Sequence, residues 1–460
     1  MEAVASSRES AIRDQVSAAR SETRERDYLA RFEAAAAGLP PMPAGAPSRR
    51  AAIDRFVELG FPTIREEGWR FTNLAEVART EYRAAPPAAP AAEEVARHLL
   101  SGTRPVVLVN GRLAPALSRL DGAPFAVSSL ATALRGEGPA AALVAATLGT
   151  EASVDQPFVA LNTALFEDGV ALEIPDGALV EEPIQVLHLT VPDAAGTPIS
   201  VFPRSLVVAG RSSQATVVET YATLGEGAAL VAPVTEVFCR DDAALRHYRV
   251  ESESTATVHL GTLQVELERA ASLLSLSLSY GGGLVRNDMG GAMRGEGSEC
   301  TLDGLYFVTG RQHVDFHMRM DHVAAHCSSH ELFKGILDGR SRAVFNGLIH
   351  VHPGAQKTDA KQTNRNLLLS PEAMVNSNPQ LEIFADDVKC THGSTIGQLD
   401  ADAMFYMRSR GVDPEAAKSL LTWAFASELV ERVHVPALRE QLERLLIDRL
   451  PQGEIVRHVM

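Results

Sequence analysis

Between residues 157 and 397 the chain consists of short alternating runs separated by turn residues, and few folds accommodate so much strand in one piece. Leu263, Val265 and Leu267 alternate with Gln264, Glu266 and Glu268, and Leu274, Leu276, Leu278 and Tyr280 alternate with Ser275, Ser277 and Ser279. A period of two places alternate side chains on opposite faces of a strand. Turn signals punctuate the runs at Asp168-Gly169, Asp176-Gly177, Gly281–Gly283, Gly290-Gly291, Asp303-Gly304, Asp338-Gly339 and Asn346-Gly347. No convincing helix interrupts the stretch. It is too long for one sandwich. It suits a parallel β-helix or solenoid, in which each coil buries its inward face on the next. No strict repeat period is visible, so the residues by themselves establish a mainly β protein and leave the solenoid open.

Both flanks read as helical. Ile12, Val16 and Ala19, then Tyr28, Leu29 and Phe32, give a broken helical stripe before a linker at Pro40, Pro41, Pro43 and Pro47. Residues 49–60 predict a helix ending at Gly60, the AAPPAAPAA run at 84–92 a second linker, and 93–101 a short helix. Trp69 reads as a packing anchor. Near the other end Asp413 can cap a helix with Pro414 in its first position and Glu415 in its first turn. Ala417, Leu420, Leu421, Ala424 and Leu429 form its apolar face, and Pro436 starts a second helix carrying Leu438, Leu442, Leu445 and Leu446. Helices following a β core ordinarily cover its open end. The division that follows is an N-terminal helical region with Pro/Ala-rich linkers (1–104), a β core (105–397, with a helical insertion near 128–148) and a C-terminal helical domain (398–460).

Chemistry concentrates in Leu381–Gly397, LEIFADDVKCTHGSTIG. Leu381, Ile383 and Ala385 alternate with Glu382, Phe384 and Asp386, as in a strand. Cys390 and His392 are two apart, so on an extended backbone they share a face. A thiolate beside an imidazole suits zinc, copper or iron–sulfur chemistry. The same pair also suits a buried free cysteine beside a hydrogen-bonded histidine, and two ligands do not close a metal site. A second concentration holds His313, His317, His322, His326, Cys327 and His330, then His350 and His352. The i, i+4 pairs resemble zinc spacing on a helix, but VDFHMRM reads as a strand, where such residues lie roughly 13 Å apart. A surface or interface histidine ladder is the better reading, with His350 and His352 sharing a face.

The residues DHVAAHCSSHELFKGILDGRSRAVFNG, HPGAQKTDAKQTNRNLLLSPEAMVNSNPQLEIFADDVKCTHGSTIG and FYMRSRGVDPEAAKSLLTWAFASELVERV cover the last third of the chain almost without gaps. Together with FVALNTALFEDGVALEIPDG and EGWRFTNL upstream, they resemble the SufB/SufD family, the scaffold subunits of the SUF iron–sulfur cluster assembly machine. DDVKCTHGSTIG and FYMRSRGV place the resemblance on the SufD side, since SufB carries a glutamate-bearing segment and a cysteine in place of Met407. The resemblance implies a right-handed parallel β-helix core flanked by N-terminal and C-terminal helical regions. It implies a non-enzymatic scaffold subunit that pairs with SufB through its late strands and shares a transient, nascent Fe–S cluster with it. His392 would be the ligand on this side, with Cys390 a second ligand or a buried neighbour. The helical end implies docking of the SufC ATPase, with Tyr406, Arg410, Pro414 and Trp423 in the docking region. A homodimer of the isolated chain and reduced flavin in the complex are further family properties that no residue here supports.

Composition excludes other classes. The chain has 43 basic and 58 acidic residues, a net charge of −15, and no basic cluster, which argues against nucleic-acid or anionic-membrane binding. Four cysteines far apart, without CxxC spacing, indicate a reducing compartment. With no apolar leader and no long apolar run, the expected location is the cytoplasm. GxxxxGK[ST], GxSxG and a strand–turn–helix GxGxxG are absent, so the chain is not expected to hydrolyse ATP itself; the resemblance implies that SufC does so. Only five lysines occur, all within Lys334–Lys418, a hint that these positions need an ammonium. Two alternatives stand: a purely structural stabiliser of SufB, and a β-helix carbohydrate enzyme using Asp386 and Asp387. Adjacent strand residues point to opposite faces, which disfavours the second.

Overall fold

The computed structural model describes residues 24–458. Ile12, Val16 and Ala19 of the N-terminal stripe lie outside them. The chain winds as a parallel β-helix whose coils contribute strands alternately to two sheets. One sheet runs from Ala126–Ser129 through Leu284–Met293, His313–His322 and Arg342–Val351 to Met374–Ile383. The other runs from Arg112–Leu113 through Ser272–Ser279, Glu299–Val308, Ser328–Leu337 and Asp359–Leu368 to Lys389–Gly397. Leu284 pairs with His313, His313 with Arg342 and Arg342 with Met374, all in parallel register. The coil is therefore roughly thirty residues long, within the range of solenoid repeats.

The repeat that the residues do not show is a repeat of backbone conformation. Ser212, Asp242, Ala270, Gly297, His326 and Lys357 occupy the same corner of successive coils, each with φ between 53° and 74°. Each donates its N–H to a carbonyl one coil further on: Ser212 to Asp241, Asp242 to Arg269, Ala270 to Glu296, Gly297 to Ala325, His326 to Gln356 and Lys357 to Asp387. A left-handed conformation costs a non-glycine residue about 1–2 kcal/mol, and the inter-coil hydrogen bond offsets that cost. Six residue types at one structural position leave no period for a reader of the sequence to find.

Three of the expected turns lie inside strands. Gly290-Gly291, Asp303-Gly304 and Asn346-Gly347 fall within Leu284–Met293, Glu299–Val308 and Arg342–Val351. The interior is too narrow for side chains there: a Cβ on Gly304 would collide with the Phe333 ring, and one on Gly347 with the Gln362 amide. Glycine in these strands marks close approach rather than reversal. Around those gaps Tyr306, Phe316, Phe333 and Phe345 stack with centroids 5.6, 5.2 and 5.0 Å apart. Burying each ring contributes roughly 1.5–3 kcal/mol.

Earlier coils hold ionisable groups in the same interior. Glu219 accepts from Thr235 at 3.0 Å and contacts His247 at 3.0 Å and His188 at 3.6 Å. Desolvation opposes its charge, yet the two imidazoles hold its carboxyl well below the usual range. Arg249 meets Glu251 at 3.2 Å and lies over the Tyr221 ring at 5.1 Å, and His259 bonds Glu253 at 2.9 Å. All are essentially inaccessible, so each charge persists only because a partner is in place.

The stretch from residue 157 is not all strand. Pro157–Leu165 is a helix, almost wholly buried, and the insertion near 128–148 resolves into Leu130–Leu134 and Ala141–Thr147. Phe158–Leu165 is buried on every side because the helix is enclosed between Arg49–Leu59 and the outer face of the first sheet, so periodicity could not separate it from a buried strand. Arg49–Leu59 ends at Gly60 as expected. Trp69 is buried, with the Arg286 guanidinium 3.6 Å above its ring, which pins the N-terminal region to the solenoid.

The C-terminal helices Pro414–Val430 and Pro436–Arg449 do not cover the open end of the core. Ala426, Leu429, Val430, Leu438, Leu442 and Leu446 pack on Tyr248, Leu276, Leu278, Leu305 and Ile336, the outer face of the second sheet. Ala424, expected on the apolar face, is exposed; Ala416, Ser419 and Thr422 are buried instead.

Candidate functional site

The final corner of the solenoid is where the sequence concentrates its chemistry. Leu381–Gly397 is two strands rather than one: Met374–Ile383 ends the first sheet, the chain turns through 384–388, and Lys389–Gly397 ends the second. Asp386 and Asp387 lie in that turn, not on a strand. Asp387 forms an ion pair with Lys357, accepts the Lys357 N–H at its main-chain carbonyl and donates its own N–H to Gln356 Oε1 at 3.0 Å. Its charge is committed to holding the corner closed, which leaves little for the paired-carboxylate chemistry of a glycosidase.

Cys390 pairs in register with Ala360, and His392 with Gln362. Ala360, Gln362 and Asn364 face the interior of the coil before, so Cys390 and His392 share the interior-facing side, as the spacing predicts. No further coil follows. Cys390 is half-buried against Ile349, Ala360 and Ala385, and His392 is exposed. Burial, with Asp359 nearby, raises the Cys390 thiol, so it offers a thiolate less readily than a free cysteine. Among the described residues the outer edges of Met374–Ile383 and Lys389–Gly397 pair with no strand; Met374–Ile383 buries none of its residues fully and Lys389–Gly397 is exposed almost throughout, where the strands of earlier coils alternate with buried positions. Ile383, Phe384 and Ile396 add exposed apolar surface. Exposed edges of this length invite another chain.

Beneath His392 lies a carboxyl that the sequence reading missed. Gln362, the register partner of His392, is itself paired with Glu331, and its amide donates to the Glu331 carboxyl at 2.8 Å. Burial pushes Glu331 up to about 8, so near neutral pH it is held as the acid. A carboxyl raised in the folded state keeps its proton while the unfolded chain loses it, so stability is full below the ordinary carboxylate range and declines as pH rises toward 8. Glu331→Gln is expected to remove that decline, raising the unfolding midpoint at pH 8 relative to wild type by an amount worth several kcal/mol while changing little at pH 4. Midpoints measured at both pH values check this, and an equal change at the two would refute it.

The four residues assigned to partner docking are brought partly together. Tyr406 and Arg410 are exposed and touch, the guanidinium donating to the phenol at 3.2 Å. Their helix, Ala401–Ser409, buries none of its residues. Phe405, not singled out by the sequence, is 71% exposed beside them. Asp413 caps the next helix through the Glu415 and Ala416 N–H groups, with Pro414 exposed at its start. Trp423 is different: it packs against Ile447, Leu450 and Val456 between the last helices. Lys334 anchors that helix, donating to the Phe425 carbonyl at 2.8 Å and pairing with Glu428 at 2.6 Å.

The histidines separate by position. His313 and His317 are on a strand, as VDFHMRM implies, each engaged with Thr72 or Asp315. His322 is buried on Ser329, and burial lowers it to about 4. His326 is a left-handed corner residue. His350 and His352 do share a face, with ring centroids 4.5 Å apart and Asp321 adjoining. The four cysteines are free. No described helix is long and apolar enough to cross a membrane.

Comparison with known proteins gives two family matches: residues 192–425 match the SUF system FeS cluster assembly SufBD core domain, and residues 24–186 the SufBD protein N-terminal region. An iron–sulfur cluster assembly SufBD family protein of Synechocystis is 32% identical over 412 residues, 86% of this chain and 89% of the relative. The iron–sulfur cluster assembly protein SufD of Escherichia coli is 28% identical over 409 residues, 88% and 93% of the two chains. SufD of Bacillus subtilis is 28% identical over 296 residues, 63% and 65%.

Proposed function

From the premise that this chain belongs to the SufB/SufD family of SUF-system iron–sulfur cluster assembly proteins, as a SufD homologue, we propose that it is the SufD-type scaffold subunit, pairing with SufB and docking the SufC ATPase. The observation that carries the reading is the uncapped final coil, where two unpaired strand edges and an exposed imidazole meet. A SufB chain presenting its own late strands would satisfy those edges by main-chain hydrogen bonds. His392 then supplies a neutral nitrogen donor to a cluster whose remaining ligands come from SufB. Imidazole holds iron less tightly than thiolate, which favours hand-off over storage. Cys390 is the secondary ligand candidate, and its raised thiol ranks it below His392. The cluster is cargo, transient at the interface, and a cytoplasmic, reducing setting suits both it and the free thiols.

SufC docking is assigned to the helical end, at Phe405, Tyr406 and Arg410, with Pro414 at the edge of the patch. Aromatic and arginine side chains on an otherwise unburied helix are the composition of an interface anchor. Co-expression with cognate SufB and SufC, with the tag on this chain, tests the assignment. Wild type is expected to bring down both partners. Phe405→Ala with Tyr406→Ala is expected to lose SufC at least tenfold and to keep SufB. Retention of SufC by that variant would move the docking surface elsewhere, and recovery of neither partner with wild type would overturn the function.

A further inference from the structure

We propose that Asp321, His350 and His352 form a divalent transition-metal site on the outer face of the first sheet, separate from His392. One donor atom from each lies within 4.8 Å of the other two. The solenoid itself produces this convergence. Asp321 and His350 are register partners on adjacent parallel strands, and His352 follows two residues later, tied by its N–H to the His322 carbonyl at 3.0 Å. Two imidazoles and one carboxylate are the donor set that suits borderline first-row ions such as Fe²⁺, Co²⁺ or Zn²⁺ over Mg²⁺ or Ca²⁺.

The surroundings are those of a ligand set held from behind. Glu382, the register partner of His350 on Met374–Ile383, takes His350 Nδ1 at 2.8 Å and leaves Nε2 for an ion. Arg319 grips Asp321 with two bonds of 2.7 and 2.8 Å, fixing the carboxylate plane. Carboxylate behind imidazole, and a guanidinium behind carboxylate, is how outer partners orient metal ligands. The Arg319 charge also offsets part of the attraction of Asp321 for a dication, so affinity in the micromolar range is expected rather than the near-irreversible binding of a structural zinc site. Three protein donors leave coordination positions open. Asp321 and His352 border a cavity of about 600 Å³ shared with Asp288, Arg319 and Gln380, large enough for water or a small anionic ligand on the ion.

The competing reading is a hydrogen-bonded ladder, in which His352 simply bonds Asp321 at 3.2 Å and His350 bonds Glu382. Titration of the purified, chelator-treated full-length chain with Co²⁺ under anaerobic conditions separates the two. Wild type and His392→Ala are expected to take up one equivalent with visible ligand-field bands that Zn²⁺ displaces and excess Mg²⁺ does not. His350→Ala and His352→Ala are each expected to weaken that binding at least tenfold. His352 is the most exposed of the three, so His352→Gln carries the test should His350→Ala not fold. Absence of binding in wild type, or binding undiminished in the His350 and His352 variants, would overturn the site. Binding lost in His392→Ala alone would assign the ion to the final coil instead.

Discussion

His392→Ala is expected to leave the complex with SufB and SufC intact and to abolish its cluster. The side chain is exposed on an edge strand whose register is set by main-chain bonds to Asp359–Leu368, so its removal costs little stability; surface truncations away from caps and cores stay within about 0.5 kcal/mol. On the proposed ligand role the loss is expected in coordination instead. With one ligand gone from the side of the interface this chain supplies, iron and sulfide added anaerobically to the co-purified complex should give less than a tenth of the wild-type visible cluster absorption. Cys390→Ala should be milder, since that thiol is half-buried and raised. An intact complex with undiminished absorption in His392→Ala would remove the ligand role and leave the chain as an architectural partner of SufB. No absorption with wild type either would place the cluster elsewhere in the machine.

The second large effect is on folding. Glu236 and Arg204 are fully buried and paired at 2.5 Å on the outer face of the first sheet. Glu236 also accepts the N–H groups of Gly149, Glu151 and Ala152, between 2.9 and 3.2 Å, while Arg204 reaches Asn162 and Thr163. One carboxylate thus fastens the helical insertions to the solenoid. Glu236→Ala leaves a buried guanidinium without its counter-charge and three donors without an acceptor, for which about 3–5 kcal/mol is expected. Urea unfolding monitored by far-UV dichroism measures it. Because the penalty arises from the orphaned charge, Arg204→Met combined with Glu236→Leu should recover part of the loss. A single variant within 1 kcal/mol of wild type would show that water reaches the pair.

Much of the final corner was readable. The two-residue spacing of Cys390 and His392 put them on one face, and the strand at VDFHMRM removed the i, i+4 zinc reading. The N-cap at Asp413 and the helix stop at Gly60 followed from side-chain chemistry confined to one turn. Glu331 escaped notice because nothing local distinguishes it. Its carboxyl is special only because Gln362, thirty-one residues later, lies beside it and closes it from water. Phe405 escaped for the opposite reason: an aromatic residue in an apolar helix ordinarily means core, and only the packing of Pro414–Val430 on the flank leaves Ala401–Ser409 bare.

Sequence alone determined what depends on near neighbours: that the protein is mainly β between helical flanks, which face each strand residue takes, where the capped helix begins, and which family the motifs belong to. Tertiary structure decided what depends on coils stacking. It turned Asn346-Gly347 and Asp303-Gly304 from apparent turns into strand interior, because a neighbouring coil fills the space a side chain would need. It hid the repeat in a left-handed corner that six residue types adopt for the sake of an inter-coil hydrogen bond. It sent the C-terminal helices to the flank, onto Tyr248, Leu276, Leu278, Leu305 and Ile336 of the second sheet, and so left His392 uncovered. Alternation and capping are written within a few residues of where they act, whereas contacts about thirty residues apart exist only once one coil has been laid upon the last.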